Sequence, residues 1–447
     1  MKKPNPVKQM ISCHSTIMAN LLKVGVCVPV LLLAACNSGS ENHGLLVSDT
    51  TQTNPNKQVG LLLPLSGRNG NLGNNMLKAA QLALSDPSAP PLNIYDTEQV
   101  GGAAEAARRA VAAKDGIILG PLTARQTSEV ASVTTSSNIP VIAYTSDVAA
   151  SGPNVWAFGI TPEQQVLTMV RAAKNQGKTK FAALLPDNPM GRAMAGGLTK
   201  ACADLGLMQP TIVYHSADSN DIVQKLKALS NYDARLQDAK NNPEAISKAD
   251  NTATTAQENT NDDNLLDELA PSGNTAKKSS QKLVLGAPPF DALVLADTGL
   301  QLQSVINALG ETQIASPQVQ IMGPGLWGAF ASKLGKLQGA WYAAPNPTKR
   351  QGFVRQYTAK YGQAPKPLAD LTYDTAALAN SLSKVGGYTS SNLTRADGFD
   401  GVDGLFVLKP DGHVQRDLQI FQIQPTGGGK MITTPSTVMS TGTKTNS

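Results

Sequence analysis

The sequence predicts an α/β fold built on parallel strands with helices covering both faces. Short, wholly apolar runs alternate with stretches of helical period from Gln58 to Val385. Most runs end in polar or Gly/Pro-rich loops, and the rhythm runs once to Ser146 and starts again at Trp156.

Gln58–Leu63 is the first run, broken by Pro64-Leu65-Ser66-Gly67. Leu72, Met76, Leu77, Ala80 and Leu84 then recur at helical spacing. Leu92–Tyr95 reads as a strand, Ala103–Ala113 as a small-residue helix and Gly116–Leu119 as a strand ending in Gly120-Pro121. A helix over Thr123–Ser136 and a strand over Pro140–Ala143, ending in Tyr144-Thr145-Ser146, complete the first round. In the second round Trp156–Ile160 is a strand, and Thr161-Pro162-Glu163 is a good N-cap for a helix to Asn175. Lys180–Leu185, Thr211–Tyr214, Phe290–Leu295, Val319–Met322 and Gly339–Ala343 read as strands. Met190–Leu205, Ile222–Leu229, Gly299–Leu309, Gly352–Tyr361 and Leu368–Val385 read as helices. Asp411-Gly412 between apolar runs predicts a hairpin that pairs Gly404–Leu408 with Asp417–Ile423.

The ends of the chain differ in character. Lys2, Lys3, Lys8 and Lys23 precede an apolar run, Val24–Ala35, too short for the roughly 20 residues a bilayer needs. The run suits a signal peptide over 1–35, with Met10 or Met18 as alternative starts. It ends Leu33-Ala34-Ala35-Cys36, which resembles the bacterial lipobox and implies cleavage before Cys36 and acylation of its thiol. Asn37, in place of an Asp, resembles outer-membrane sorting on the periplasmic face. Residues 36–57 form a Ser/Asn/Thr-rich tether, and residues 434–447 read as a disordered tail. Residues 242–282 are rich in Asn, Asp, Glu, Thr, Ala and Ser and predict a disordered insertion, either a solvated loop or a docking arm.

Charge and motifs exclude several functions. The chain has 38 Lys+Arg against 33 Asp+Glu; without the four lysines before Cys36 the balance is 34 to 33, which gives no support to nucleic-acid binding. The pattern holds no H-E-x-x-H, C-x-x-C or G-x-S-x-G, so no metal site, catalytic residue or cofactor is expected and the protein reads as non-enzymatic. Cys202, in an Ala-rich helix, reads as a small buried apolar residue. Gly323-Pro324-Gly325-Leu326-Trp327-Gly328 matches a dinucleotide loop, but no acid follows before Asp370 to hold a ribose. Trp327 reads either as an aromatic lid over a cleft or as a packed loop anchor. Seven basic residues and no acids lie between Thr312 and Ala369, among them Arg350 and Arg355, on a solvated face or one turned to an acidic partner.

In sheets of this kind ligands sit beyond the carboxyl ends of the strands, which singles out Ser66, Thr123, Thr145 and Ser146. Val59-Gly60-Leu61-Leu62-Leu63-Pro64-Leu65-Ser66-Gly67, Gly120-Pro121-Leu122, Ile139-Pro140-Val141-Ile142 and Asn154 through Pro162 resemble type I periplasmic binding proteins, the leucine/isoleucine/valine-binding class. Leu185 through Gly191, Gly325-Leu326-Trp327, Leu337 through Pro345 and Phe399 through Phe406 resemble, within that superfamily, the penicillin-binding-protein activator lipoproteins. The resemblance covers about Gln58 to Ile423, the insertion excepted, and implies two Rossmann-like lobes with parallel sheets joined by hinge crossovers. One lobe would hold 58–158 with part of 344–433, and the other 159–343. It also implies a lipid-anchored regulator of peptidoglycan synthesis that contacts a bifunctional penicillin-binding protein. The alternative is a solute-binding protein of an ABC importer for branched-chain or other amino acids or amides. An amino-acid clamp needs a carboxylate for the ammonium, Asp187 or Asp297, and hydroxyls or N–H groups for the carboxylate, Thr145 with Ser146. Such a cleft is either occupied by an amino-acid-like ligand or vestigial. Two departures stand out: no helical-repeat domain precedes the lobes, and Met190 stands where many relatives have Tyr.

Overall fold

A computed structural model describes residues 56–242 and 283–432. The signal segment, Cys36, most of the tether, the insertion beyond Asn242 and the tail lie outside the described residues.

The first lobe contains β1 (Val59–Leu63), α1 (Gly70–Ala83), β2 (Leu92–Asp96), α2 (Gly102–Ala112), β3 (Ile117–Leu119), α3 (Ala124–Thr134) and β4 (Val141–Ala143), and the strand expected to open the second round, β5 (Val155–Ala157), pairs with β4 and belongs here too. These strands form an all-parallel sheet in the order β2-β1-β3-β4-β5. Because side chains alternate across a strand, both faces must be covered. Leu61, Leu63, Ile117 and Leu119 pack on one face with Met76 of α1. Leu62, Ile118 and Val141 pack on the other with Ala103, Ala107 and Ala110 of α2. The small residues of α2 let it lie close to the sheet.

The chain crosses at residues 158–161 into the second lobe. There follow α4 (Pro162–Asn175), β6 (Phe181–Pro186), α5 (Pro189–Asp204), β7 (Thr211–His215), α6 (Ser219–Leu229), α7 (Tyr232–Asn241), β8 (Ala292–Leu295), α8 (Gly299–Thr312), β9 (Gln320–Gly323) and β10 (Trp341–Ala344). Thr161 caps α4 in a reciprocal box with Gln164, which fixes where the crossing ends and the helix begins. Residues 345–346 cross back to α9 (Pro347–Tyr361), α10 (Ala369–Ser383), α11 (Ser390–Leu393), β11 (Phe399–Gly401), β12 (Gly404–Leu408) and β13 (Val414–Arg416). The last three strands make a small antiparallel sheet. It rests on the first lobe: Phe406 and Leu408 join the core there with Leu371 and Leu382 of α10. Residues 417–418 cross a third time to β14 (Gln419–Ile423) and β15 (Gly429–Ile432).

The second sheet runs β15-β14-β10-β9-β8-β6-β7 and is mixed rather than wholly parallel, because β14 lies antiparallel to β10 and β15 antiparallel to β14. The expected hairpin is therefore corrected. The Asp411-Gly412 turn forms, but β12 pairs with Val414–Arg416, and Gln419–Ile423 leaves for the other sheet. Burial gives the reason. Ile420 packs with Trp341 and Val170 on one face of that sheet, while Phe421 and Ile423 pack with Tyr342 and Leu337 on the other. A strand apolar on both faces belongs inside a two-sided sheet, not at a hairpin edge. The two cores of this lobe divide β6 by alternation, Ala182 and Leu184 facing α6 and α8, Ala183 and Leu185 facing α4 and α5.

Candidate functional site

The carboxyl ends of β3 and β4, Gly159 and Ile160 of the first crossing, Pro345 of the second, the starts of α9 and α10, and the β11–β12 turn line a pocket of about 670 Å³. Tyr144, Thr145 and Ser146 come to it from the end of β4, Arg350 from the first turn of α9, Asp370 from the first turn of α10, and Asp403 from the β11–β12 turn. Leu122, Ile160, Pro345, Pro347, Leu368 and Leu371 give it apolar walls.

The polar groups are already partnered in part. Thr145 is buried and its Oγ1 accepts from the Asp147 amide at 3.0 Å, which fixes the loop. Tyr144 Oη is 3.0 Å from Thr375 Oγ1, and burial pushes the phenol above its ordinary range. Arg350 Nη2 lies 2.9 Å from Asp370 Oδ2, with Asp370 buried and Arg350 about one-third exposed. Asp403 is buried and hydrogen-bonded to Asp370. Burial, followed by the fields of Asp370 and Asp374, pushes its carboxyl up to about 8. Asp374 lies deeper, accepts from the Val402 amide at 2.7 Å, and is pushed up to about 7, chiefly by burial.

Of the residues singled out from the sequence, Thr145 and Ser146 line this pocket, and the others do not. Ser66 follows β1, is exposed and hydrogen-bonds Asp96. Thr123 is exposed and caps α3 by accepting from the Gln126 amide. Asp187 is exposed and ion-paired with Arg192.

Asp297 and Trp327 lie inside the second lobe, away from this pocket, and of the two roles open to Trp327 the packed anchor is the one found. Asp297 is 1% exposed, with Oδ2 3.3 Å from His215 Nε2, so it belongs to the interior of the second lobe. Burial pulls the His215 imidazole down, but the hydrogen bonds to Asp297 and to the Ser216 carbonyl outweigh it and raise the group. Trp327 is fully buried and is no lid. Its Nε1 donates to the Asp297 carbonyl at 3.0 Å, and its ring lies against Gly323, where a Cβ would come 2.3 Å from Cζ2. That contact also accounts for the glycine motif: Gly323 makes room for an indole, and the Gly325 amide donates to Gln165 Oε1 at 2.6 Å instead of facing a phosphate. Cys202 is buried and burial pushes its thiol up to about 11.

Sequence reasoning missed the Arg350–Asp370–Asp403 group. Arg350 was expected on a solvated or partner-facing surface and is instead turned toward Asp370. The usable signal was that Asp370 is the first acid after the long basic stretch, so its carboxylate had many candidate cations and few competitors.

A model of the periplasmic binding protein family matches residues 57–430, and the chain belongs to that family. Its fold is similar to the C-domain of LpoA from Haemophilus influenzae, a regulator of PBP1A, with TM-score 0.56 and 16% identity over 84% of this chain and 100% of that one. It is similar to a branched-chain amino acid ABC transporter periplasmic ligand-binding protein from Burkholderia xenovorans, with TM-score 0.55 and 15% identity over 84% and 94%. Full-length LpoA of H. influenzae aligns at TM-score 0.56 and 16% identity over 85% of this chain, which spans 59% of that protein's length. At these identities the likeness is one of fold. No curated protein sequence matches the chain.

Proposed function

We propose that the protein is a lipid-anchored periplasmic regulator that activates a penicillin-binding protein in peptidoglycan synthesis and catalyses nothing itself. The observation that carries this reading is the state of the acids expected to hold an amino-acid ammonium. Asp297 is buried against His215 and Asp187 is paired with Arg192. Of the two carboxyls that line the pocket, Asp370 is paired with Arg350, and Asp403 is hydrogen-bonded to Asp370 and raised to about 8, chiefly by burial. A clamp for a free amino acid needs an unpaired carboxylate facing the ligand, and each of these four is already paired or held as the acid. A regulator needs a surface and a fixed fold, not an open clamp. The likeness to the C-domain of LpoA is in keeping with this reading.

The anchor belongs to the same proposal: Cys36, at the end of the lipobox-like Leu33-Ala34-Ala35, carries the lipid and holds the lobes at the outer membrane. In-cell photo-crosslinking from exposed positions on α9 and α6 tests the partner. Capture of a bifunctional penicillin-binding protein is expected; capture of the membrane subunits of an ABC importer instead would sink the reading.

A second reading has an observation of its own. Thr145, Ser146 and the Arg350 guanidinium line one pocket, and hydroxyls with a guanidinium suit a carboxylate. On that reading the protein delivers an amino acid or amide to an importer, and the pocket is where the solute's carboxylate binds.

A further inference from the structure

One largely buried group of charges in the first lobe stands beside the three crossings. Arg416 closes β13 immediately before the third crossing, and its Nη2 donates to the Phe158 carbonyl of the first crossing at 2.7 Å. Its guanidinium also lies over the Phe158 ring, 4.1 Å from the centroid. Gln164 Nε2 adds a second tie, donating to the Val414 carbonyl. Arg350 follows the second crossing and pairs with Asp370. Arg416 lies in the field of three carboxyls, Asp370 and Asp374 from α10 and Asp403 from the β11–β12 turn, and Arg350 lies in that of Asp370 and Asp403.

This group is not a set of closed ion pairs. Arg416 is buried, and neither its Nε nor its Nη1 has a partner; Asp374 Oδ2 has none either. A guanidinium so desolvated is held by the surrounding charge more than by hydrogen bonds, and it needs that charge to stay balanced. Two cations face three carboxyls, so balance requires one shared proton. We propose that Arg350, Arg416, Asp370, Asp374 and Asp403 form a charge clamp on all three crossings, and that the protonation of this cluster sets how freely the two lobes hinge.

The sign follows from the surroundings. Facing Asp403 and Asp374 are Arg350 of α9, Asp370 and Tyr373 of α10, and Arg416 of β13. Burial, then the neighbouring carboxyls, raise Asp403 to about 8, and burial raises Asp374 to about 7. A carboxyl raised in the clamped state binds its proton more tightly there than in a solvated state. The clamp is therefore favoured at lower pH and loses out as pH climbs through these values. Above them, Asp403 loses its proton and its charge faces the Asp370 carboxylate that Arg350 pairs, so the β11–β12 turn is pushed from α10.

The test is single-molecule energy transfer on the full chain in detergent, with dyes at Ser128 on α3 and Lys225 on α6, both exposed. The wild-type distribution of interlobe distances should be narrow at low pH and broaden with a midpoint between about 7 and about 8. Asp403→Asn, which keeps the shape of the protonated acid, should stay narrow throughout; Arg416→Gln should be broad throughout. A wild-type distribution that does not change with pH, or an Asp403→Asn protein that broadens at the wild-type midpoint, overturns the clamp. Should Arg416→Gln fail to fold, the Asp403→Asn comparison still decides the matter.

Discussion

Replacing Asp297 by alanine separates an interior role from a ligand-binding one. The carboxyl is 1% exposed and Oδ2 stands 3.3 Å from His215 Nε2, with both side chains inaccessible to solvent. Removing one member of a buried charged pair costs about 3–5 kcal/mol, and stranding a neutral buried partner about 1–3 kcal/mol. The imidazole is raised above its ordinary value of about 6.5: burial lowers it, but the hydrogen bonds to Asp297 and the Ser216 carbonyl outweigh that. The pair's contribution is therefore fully present below that value and declines as pH rises through the folded-state one. Near pH 6, a loss of about 3 kcal/mol should lower the melting temperature by roughly 6–12 °C for a lobe of this size class. As pH rises through the folded-state value the loss should fall toward the lower figure, about 1 kcal/mol. Urea unfolding over a pH series rising from about 6, with Asp297→Asn as a shape-preserving control, measures it. If Asp297 were instead the partner of a bound ammonium, the ligand-free variant would melt like the wild type and only a ligand-induced shift would vanish. That result would refute the interior assignment.

Further outcomes are expected elsewhere. Trp327→Ala should destabilise by about 3–5 kcal/mol, since the ring is fully buried against Gly323; calorimetry that finds it neutral would mean the ring is not packed. Arg350→Ala removes a cation that lowers Asp403, so carbon-detected titration should find the Asp403 carboxyl above its wild-type value; a fall would contradict the assigned geometry. Cys36→Ser should release the protein from washed membranes, because among the described residues no helix is long and apolar enough to span a bilayer.

Most strands of the first lobe were legible because they are wholly apolar runs bounded by a breaker: Val59–Leu63 before Pro64, Ile117–Leu119 before Gly120-Pro121; β2, with Asn93 and Asp96, is the exception. The start of α4 was legible because Thr161-Pro162 is a local signal, and local hydrogen bonds realise it. What local pattern does not encode is the choice of partner. The turn at Asp411-Gly412 was correctly placed, yet which strand follows it depended on whether Phe421 and Ile423 find a second covered face. Helix α7 escaped notice because Tyr232–Asn241 is mostly polar, and only Arg235 and Ala239 are buried in it. The site divides in the same way. Thr145 and Ser146 followed from a strand-end rule, whereas Arg350, Asp370 and Asp403 are far apart in sequence and meet only once α9, α10 and the β11–β12 turn pack on the lobe. Trp327 was ambiguous for a related reason: a tryptophan after a strand serves a lid or an anchor equally well until the space over Gly323 is known.

The regulator reading is tested most directly by reconstitution with a bifunctional penicillin-binding protein and lipid-linked peptidoglycan precursor. Glycan polymerisation and peptide crosslinking are followed with and without the purified protein, alongside thermal shifts with a panel of amino acids and amides. The account predicts that synthase activity rises in the protein's presence and that no amino acid raises its melting temperature. Unchanged synthase activity, together with an amino-acid shift that Thr145→Ala abolishes, would contradict it and give the protein to solute transport.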